Sequence, residues 1–221
     1  MDKIDEIEAE NNRYIERLNL FRDQSDIPEG MKAQFDSAIW SVAHYYTFTR
    51  RRPEIAVRYF EKYVEVREKI QPEVKYYDSI CQAYDLLGRT YTFLKNPEKA
   101  AEAGRKAIEC IEKSHGSVEN YINYMRYRPL YLCRLSGIYL SMGEREKAFE
   151  CLELIDGCKR CSHCQYAFCV DKTDRIALYA EFDGDYEKAI EMYEYGRQHS
   201  GYETEKINGI RECKRMLEEN K

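Results

Sequence analysis

The stretch GCKRCSHCQYAFC, residues 157–169, brings Cys158, Cys161, Cys164 and Cys169 together as C-x2-C-x2-C-x4-C. Zinc takes four thiolate or imidazole ligands in a tetrahedron, and short Cys-x-x-Cys steps let a chain wrap around one ion. Structural zinc sites usually draw on two separated pairs, whereas these four are crowded, with His163 or Cys151 able to stand in for one of them. Four thiolates leave no open position for water, so zinc held here is structural and would order a long connection. An iron–sulfur reading fits less well. The bacterial ferredoxin run is C-x2-C-x2-C-x3-C-P, while here the last step is one longer and no proline follows. Two readings without metal also stand. Cysteine is a common small core residue, the role expected of Cys81, Cys110, Cys133 and Cys213, and neighbouring thiols can form redox disulfides.

Other catalytic chemistry finds no such grouping. The sequence lacks a Gly-rich phosphate loop, a His-Glu-x-x-His pair and a Gly-x-Ser-x-Gly elbow. His44, His115, His163 and His199 are scattered. A net charge of −5 gives no global attraction to nucleic acid or an anionic membrane, and Arg50–Arg51–Arg52 reads as a solvated basic turn. No helix-turn-helix segment is recognisable in the first thirty residues. The start, MDKIDEIEAENNRYIERL, has neither the basic opening nor the apolar core of a secretory signal. Nine cysteines, an odd number, suit a reducing compartment. The expectation is a cytoplasmic, non-enzymatic chain.

The elements that position these residues are helices. Hydrophobic residues at 43%, charged residues at 34%, and only 5 prolines and 11 glycines in 221 residues predict an all-α chain with short loops. Four segments recur: RRPEIA ending at Ala56, KNPEKA at Ala100, GEREKA at Ala148 and GDYEKA at Ala189. Each reads as a turn opening a helix. Pro53 and Pro97 suit the first helical turn, Asn96 and Asp185 can cap it, and Glu54, Glu98, Glu146 and Glu187 favour its positive end. Upstream lies a second helix, clearest in Tyr84, Leu87, Gly88 and Tyr91 before Ala100. Trp40 precedes Ala56 by the same sixteen positions. Leu132, Leu135, Ser136 and Tyr139 precede Ala148 in register, and Ile176, Ala177 and Ala180 precede Ala189.

This pattern resembles the tetratricopeptide repeat, in which small residues open room where two helices cross. The alanines stand 44, 48 and 41 residues apart, longer than the roughly 34 of a standard unit, so the resemblance is to a divergent, bacterial-type member with long repeats. It implies one domain over 1–221, a superhelical α-solenoid of about four helix pairs. A leading helix falls in 1–30, at about 2–22. The pairs fill 31–200, as 31–50 with 53–70, 73–94 with 97–114, 118–142 with 145–156, and 165–183 with 186–199. A capping helix at about 203–219 occupies 201–221, and Gly116 is a left-handed helix stop. Tyr121, Tyr124, Tyr127 and Tyr131 recur at helical intervals and read as core.

In such arrays the first helix of each pair lines the concave face. The resemblance therefore makes Tyr45, Phe48, Asp85, Arg89, Arg134, Asp174 and Leu178 the candidate partner-binding residues, and a protein or peptide the partner. The arginines suit an acidic partner or, alternatively, pair with Asp85, Asp174 and nearby glutamates. Ser41, Tyr45, Asp85 and Cys133 stand where chaperone-binding members carry the Lys/Asn clamp for a peptide carboxylate, which disfavours that ligand. Two functions follow: an interaction scaffold, which includes the sensing part of a regulator and is compatible with homo-oligomers, or a metal- or redox-responsive switch built on Cys158–Cys169.

Overall fold

Short turns of one design join the helices. In three of them a residue in the left-handed region ends one helix: Lys95 (φ 53°), Gly143 (φ 78°) and Gly184 (φ 79°). The next N–H, of Asn96, Glu144 or Asp185, reaches back to the carbonyl of Tyr91, Tyr139 or Ala180 at 3.0, 2.9 and 2.8 Å. That bond satisfies an orphan carbonyl at the helix end. The following helix starts at once, the N–H of Ala100, Ala148 and Ala189 donating to the carbonyl of Asn96, Glu144 and Asp185. As expected, Asn96 and Asp185 cap: their Oδ1 atoms accept from the N–H of Lys99 (3.2 Å) and Lys188 (3.1 Å).

The structure, a computed structural model, describes residues 9, 12, 13, 16, 42–43, 45–49, 52–70, 77–125, 129–156, 170–199 and 203–219. Among the described residues the regular elements are helical. A π-helical turn, Tyr45–Thr49, precedes α1 (Pro53–Ile70), α2 (Tyr77–Phe93), α3 (Pro97–His115), α4 (Val118–Met125), α5 (Pro129–Ser141), α6 (Arg145–Asp156), α7 (Val170–Asp183), α8 (Tyr186–His199) and α9 (Glu203–Glu219). The pairs are π-turn with α1, α2 with α3, α5 with α6, and α7 with α8, and α2, α5 and α7 form one row through α5. Most of the expected leading helix lies outside the described residues.

Close crossing within each pair depends on small residues. Ala56, Ala100, Ala148 and Ala189 are fully or almost fully buried. Facing Ala100, a Cβ on Gly88 would lie 2.8 Å from the Ser141 hydroxyl and 3.5 Å from the Ala100 carbonyl. Ser136 holds the Gly88 position in the third unit and donates its hydroxyl to the Ala148 carbonyl at 2.7 Å. The same hydroxyl meets that of Tyr179, so one serine joins its own pair and the next unit.

Two expectations are corrected. The single helix expected over 118–142 is two, α4 and α5. Proline within a helix removes a donor and clashes with the preceding turn, and the residue before it is driven out of helical geometry; at the first position of α5, Pro129 costs nothing. The tyrosine stripe is broken with it: Tyr121 is buried, Tyr124 is 67% exposed and Tyr131 is half-buried, while Tyr127 lies outside the described residues. Second, part of the first helix adopts π geometry at Tyr45–Thr49. Thr47 there turns its hydroxyl onto the Ala43 carbonyl at 2.9 Å, a side-chain bond that competes with the backbone ladder.

The terminal helix α9 also does more than cover an end. It packs on α8 and on the π-helical turn of the first unit. Across the row, Phe93 of α2 meets Phe182 of α7 edge-on, ring centroids 4.8 Å apart. The array is curled tightly enough for the second unit to touch the fourth and the last helix to touch the first.

The turn geometry yields a stability test. Lys95 holds a conformation that glycine holds in the other two turns, so Lys95→Gly is expected to stabilise by about 0.5 kcal/mol, and Gly143→Ala and Gly184→Ala to destabilise by about 1 kcal/mol each. No atom lies within 4 Å of a Cβ built at Gly143 or Gly184, so the cost there is conformational. Urea unfolding measures all three; an unchanged midpoint in both alanine variants would contradict it.

Candidate functional site

The row of first helices encloses a charged cluster at Gly137 of α5. A Cβ there would lie 2.8 Å from Asp85 Oδ1, 3.3 Å from Arg175 Nη1 and 3.5 Å from Arg89 Cδ. Because glycine brings no side chain, groups from α2 and α7 meet across α5. Arg89 Nη2 donates to Asp85 Oδ2 at 2.8 Å, and Arg175 Nη2 stands 3.9 Å from the same oxygen. All three residues are buried. Desolvation pushes the Arg89 guanidinium down to about 10; the charge of Arg175 adds to this and Asp85 opposes it. One carboxylate thus faces two guanidinium groups away from water. Losing the carboxylate would leave like charges buried together.

A second pair, buried at its lysine, ties α9 to the array. Lys206 Nζ lies 3.1 Å from Asp174 Oδ2, and the lysine is only 3% exposed. Its stem runs over Gly196 of α8, where a Cβ would come within 2.7 Å of both Lys206 Cε and Asp174 Oδ1. The small residue on α8 is what admits a lysine from α9 to an aspartate on α7.

The seven expected face residues are therefore placed differently from one another. Asp85 and Arg89 are brought together and buried, and Asp174 pairs with Lys206. Arg134 is buried with its guanidinium over the Tyr131 ring, 5.0 Å from the centroid, and Leu178 belongs to the hydrophobic core. Tyr45 is half-buried and edge-on to Tyr46. The side chain of Phe48 lies outside the described residues, as do Cys158, Cys161, Cys164 and Cys169. Among the described residues no group of three or more His, Cys, Asp and Glu could hold a metal ion. Cys151, a suggested stand-in ligand, is buried in the core, where desolvation pushes its thiol up to about 12. Cys81, Cys110, Cys133 and Cys213 are likewise buried and form no disulfide, the role expected of them.

Sequence reasoning missed a groove of about 330 Å³ between α1 and α3, floored by α2. Two matching clusters form its ends. At one, the Tyr91 hydroxyl donates to Glu61, and Lys99 stands 5.2 Å over the Tyr91 ring and 3.7 Å from Glu61. At the other, the Tyr84 hydroxyl donates to Glu68, and Lys106 stands 5.6 Å over the Tyr84 ring. Burial first, then the carboxylate partners, push both phenols well above their usual range, so each stays a neutral donor. The signal was in the sequence as a spacing of seven in each helix: Glu61 and Glu68, Tyr84 and Tyr91, Lys99 and Lys106. Reading Tyr84 and Tyr91 only as repeat-signature residues concealed it.

The charged seam is expected to control stability. Asp85→Ala should cost about 3–5 kcal/mol, because it removes from a buried site the carboxylate that faces both Arg89 and Arg175. Gly137→Ala should cost about 1–3 kcal/mol by displacing the Asp85 carboxylate. Chemical denaturation of both variants checks this, and a cost below about 1 kcal/mol for Asp85→Ala would show that the seam is solvated.

No helix among the described residues is long and apolar enough to cross a membrane. Residues 82–113 match the family model for the tetratricopeptide repeat, a span containing Tyr84, Leu87, Gly88, Tyr91 and Ala100 at the α2–α3 crossing. No curated protein matches the chain. Residues 82–113 are thus a tetratricopeptide-type unit, and the buried-alanine turn that opens its second helix recurs along the described helices.

Proposed function

We propose that the chain is a non-catalytic interaction module that binds a protein or peptide through its repeat array, with Tyr45 and Asp174 in the contact region. The observation that carries this is the matched tetratricopeptide unit within a stack of like pairs, since such arrays generally mediate protein interactions. Affinity capture from a native lysate tests the reading. A partner held by the wild-type protein should bind about tenfold more weakly to Tyr45→Ala and Asp174→Asn. Circular dichroism establishes that both variants are folded. Enrichment of no partner, or undiminished capture by both folded variants, would overturn the proposal.

For residues 157–169 we propose a structural zinc staple joining the third and fourth units, supported by the C-x2-C-x2-C-x4-C spacing and by the burial of the other five cysteines. Native protein should then show no fast-reacting thiols, four after chelation and nine after unfolding. Four fast-reacting thiols before chelation, with no zinc released, would mean free cysteines and remove the staple. Release of zinc with no change in melting temperature would leave it without a structural role.

A further inference from the structure

We propose that α9 is a releasable clasp: it closes the array by holding the fourth unit to the first, and it lifts as one helix without unfolding the stack beneath it. This goes beyond the contact-region reading. Its bearing on binding rests on that reading, through Tyr45 and Asp174.

Three observations carry it. The first is position. α9 packs on α8 of the fourth unit and on the Tyr45–Thr49 turn of the first, and its Lys206 crosses Gly196 to reach Asp174 of α7 at 3.1 Å. Tyr45 and Asp174, from the two ends of the array, are therefore held at one span by this helix. Asp174 keeps 34% of its side chain exposed, so the clasped form still offers it.

The second is how little α9 buries. Among its described side chains, Lys206, Gly209, Ile210 and Cys213 are buried, while Ile207, Met216 and Leu217 are half-buried. By contrast α3, of similar length, buries Ala100, Ala103, Gly104, Ala107, Cys110 and Ile111. A helix held by a narrow apolar strip opens locally at a lower free energy than the fold as a whole. Lifting it also returns the Lys206 ammonium group to water, which offsets part of the lost pairing with Asp174.

The third is that α9 carries helix-supporting pairs that do not depend on the stack. Arg215 on its exposed face bonds Glu212 and Glu219 in the turns on either side, the spacing that stabilises an isolated helix. Release leaves the Phe93–Phe182 contact between the second and fourth units in place. Opening is thereby confined to the gap between the fourth unit and the first.

Cys213, fully buried on the inward face of α9, reports the opening. Native-state thiol labelling read by peptide mapping should modify Cys213 about tenfold faster than the core thiols Cys81, Cys110 and Cys151. Ile210→Asp, which spoils the buried strip, should speed Cys213 labelling and amide hydrogen exchange at Tyr45–Thr49 about tenfold further, with exchange in α2 and α3 unchanged. Gly196→Ala, whose Cβ would press on Lys206 and Asp174, should act in the same direction from the other side of the contact. A synthetic peptide of residues 203–219 should bind the Ile210→Asp chain about tenfold more tightly than the wild-type chain, whose seat is filled. Circular dichroism establishes that both variants are folded. Labelling of Cys213 at the rate of the core thiols would make α9 a fixed part of the stack and overturn the proposal, as would unchanged exchange at Tyr45–Thr49 or equal peptide binding by the two chains. None of these readouts uses a partner, so failure of the contact-region reading, seen in capture by Tyr45→Ala, remains distinct.

Discussion

Close approach of two helices at a small residue is the constraint on which the rest of this structure depends. Ala56, Ala100, Ala148 and Ala189 are buried where each second helix crosses its first, and the backbone carbonyls at that crossing must still find donors. Gly88 meets the requirement by leaving space; Ser136 meets it by donating its own hydroxyl to the Ala148 carbonyl. Burying a Cβ without such a bond would displace the neighbouring helix, and burying a hydroxyl without a partner would carry a desolvation cost of about 1–3 kcal/mol.

The same economy of side chains admits polar contacts between units. Gly137 lets Asp85 and Arg175 meet across an intervening helix, and Gly196 lets Lys206 reach Asp174. The first lies away from water, while the second sets a buried lysine beside a partly exposed aspartate. They bring second and fourth units, and the terminal helix and its neighbours, into register. The inner side becomes an enclosed seam with charged groups, while the outer side keeps an accessible groove between α1 and α3.

Much of the repeat was legible before any coordinates. Asn96 and Asp185 cap as their chemistry dictates, Gly116 takes a positive φ at the end of α3, and the four alanines are buried. These are local properties, set by a residue and its neighbours within a turn or two. Pro129 could have been read equally well and divides 118–142 for a reason visible in the sequence. What stayed hidden depends on distance in the chain. Nothing local at Asp85 specifies that Arg175, ninety residues on, will share its carboxylate, or that Glu68 will accept from Tyr84.

The sequence by itself determined the all-helical class, the turn chemistry and the places where helices cross, because capping, proline geometry and side-chain volume act over a few residues. Only the tertiary structure decided which polar residues are buried and which are offered to a partner. A tetratricopeptide register assigns a side chain to the inner or outer side of a helix; it does not fix how tightly the stack curls. Here the curl removes Asp85, Arg89 and Arg134 from solvent and leaves the Glu–Tyr–Lys groove open. Curvature sums many small helix–helix angles, each set by packing between units, and no single residue encodes that sum.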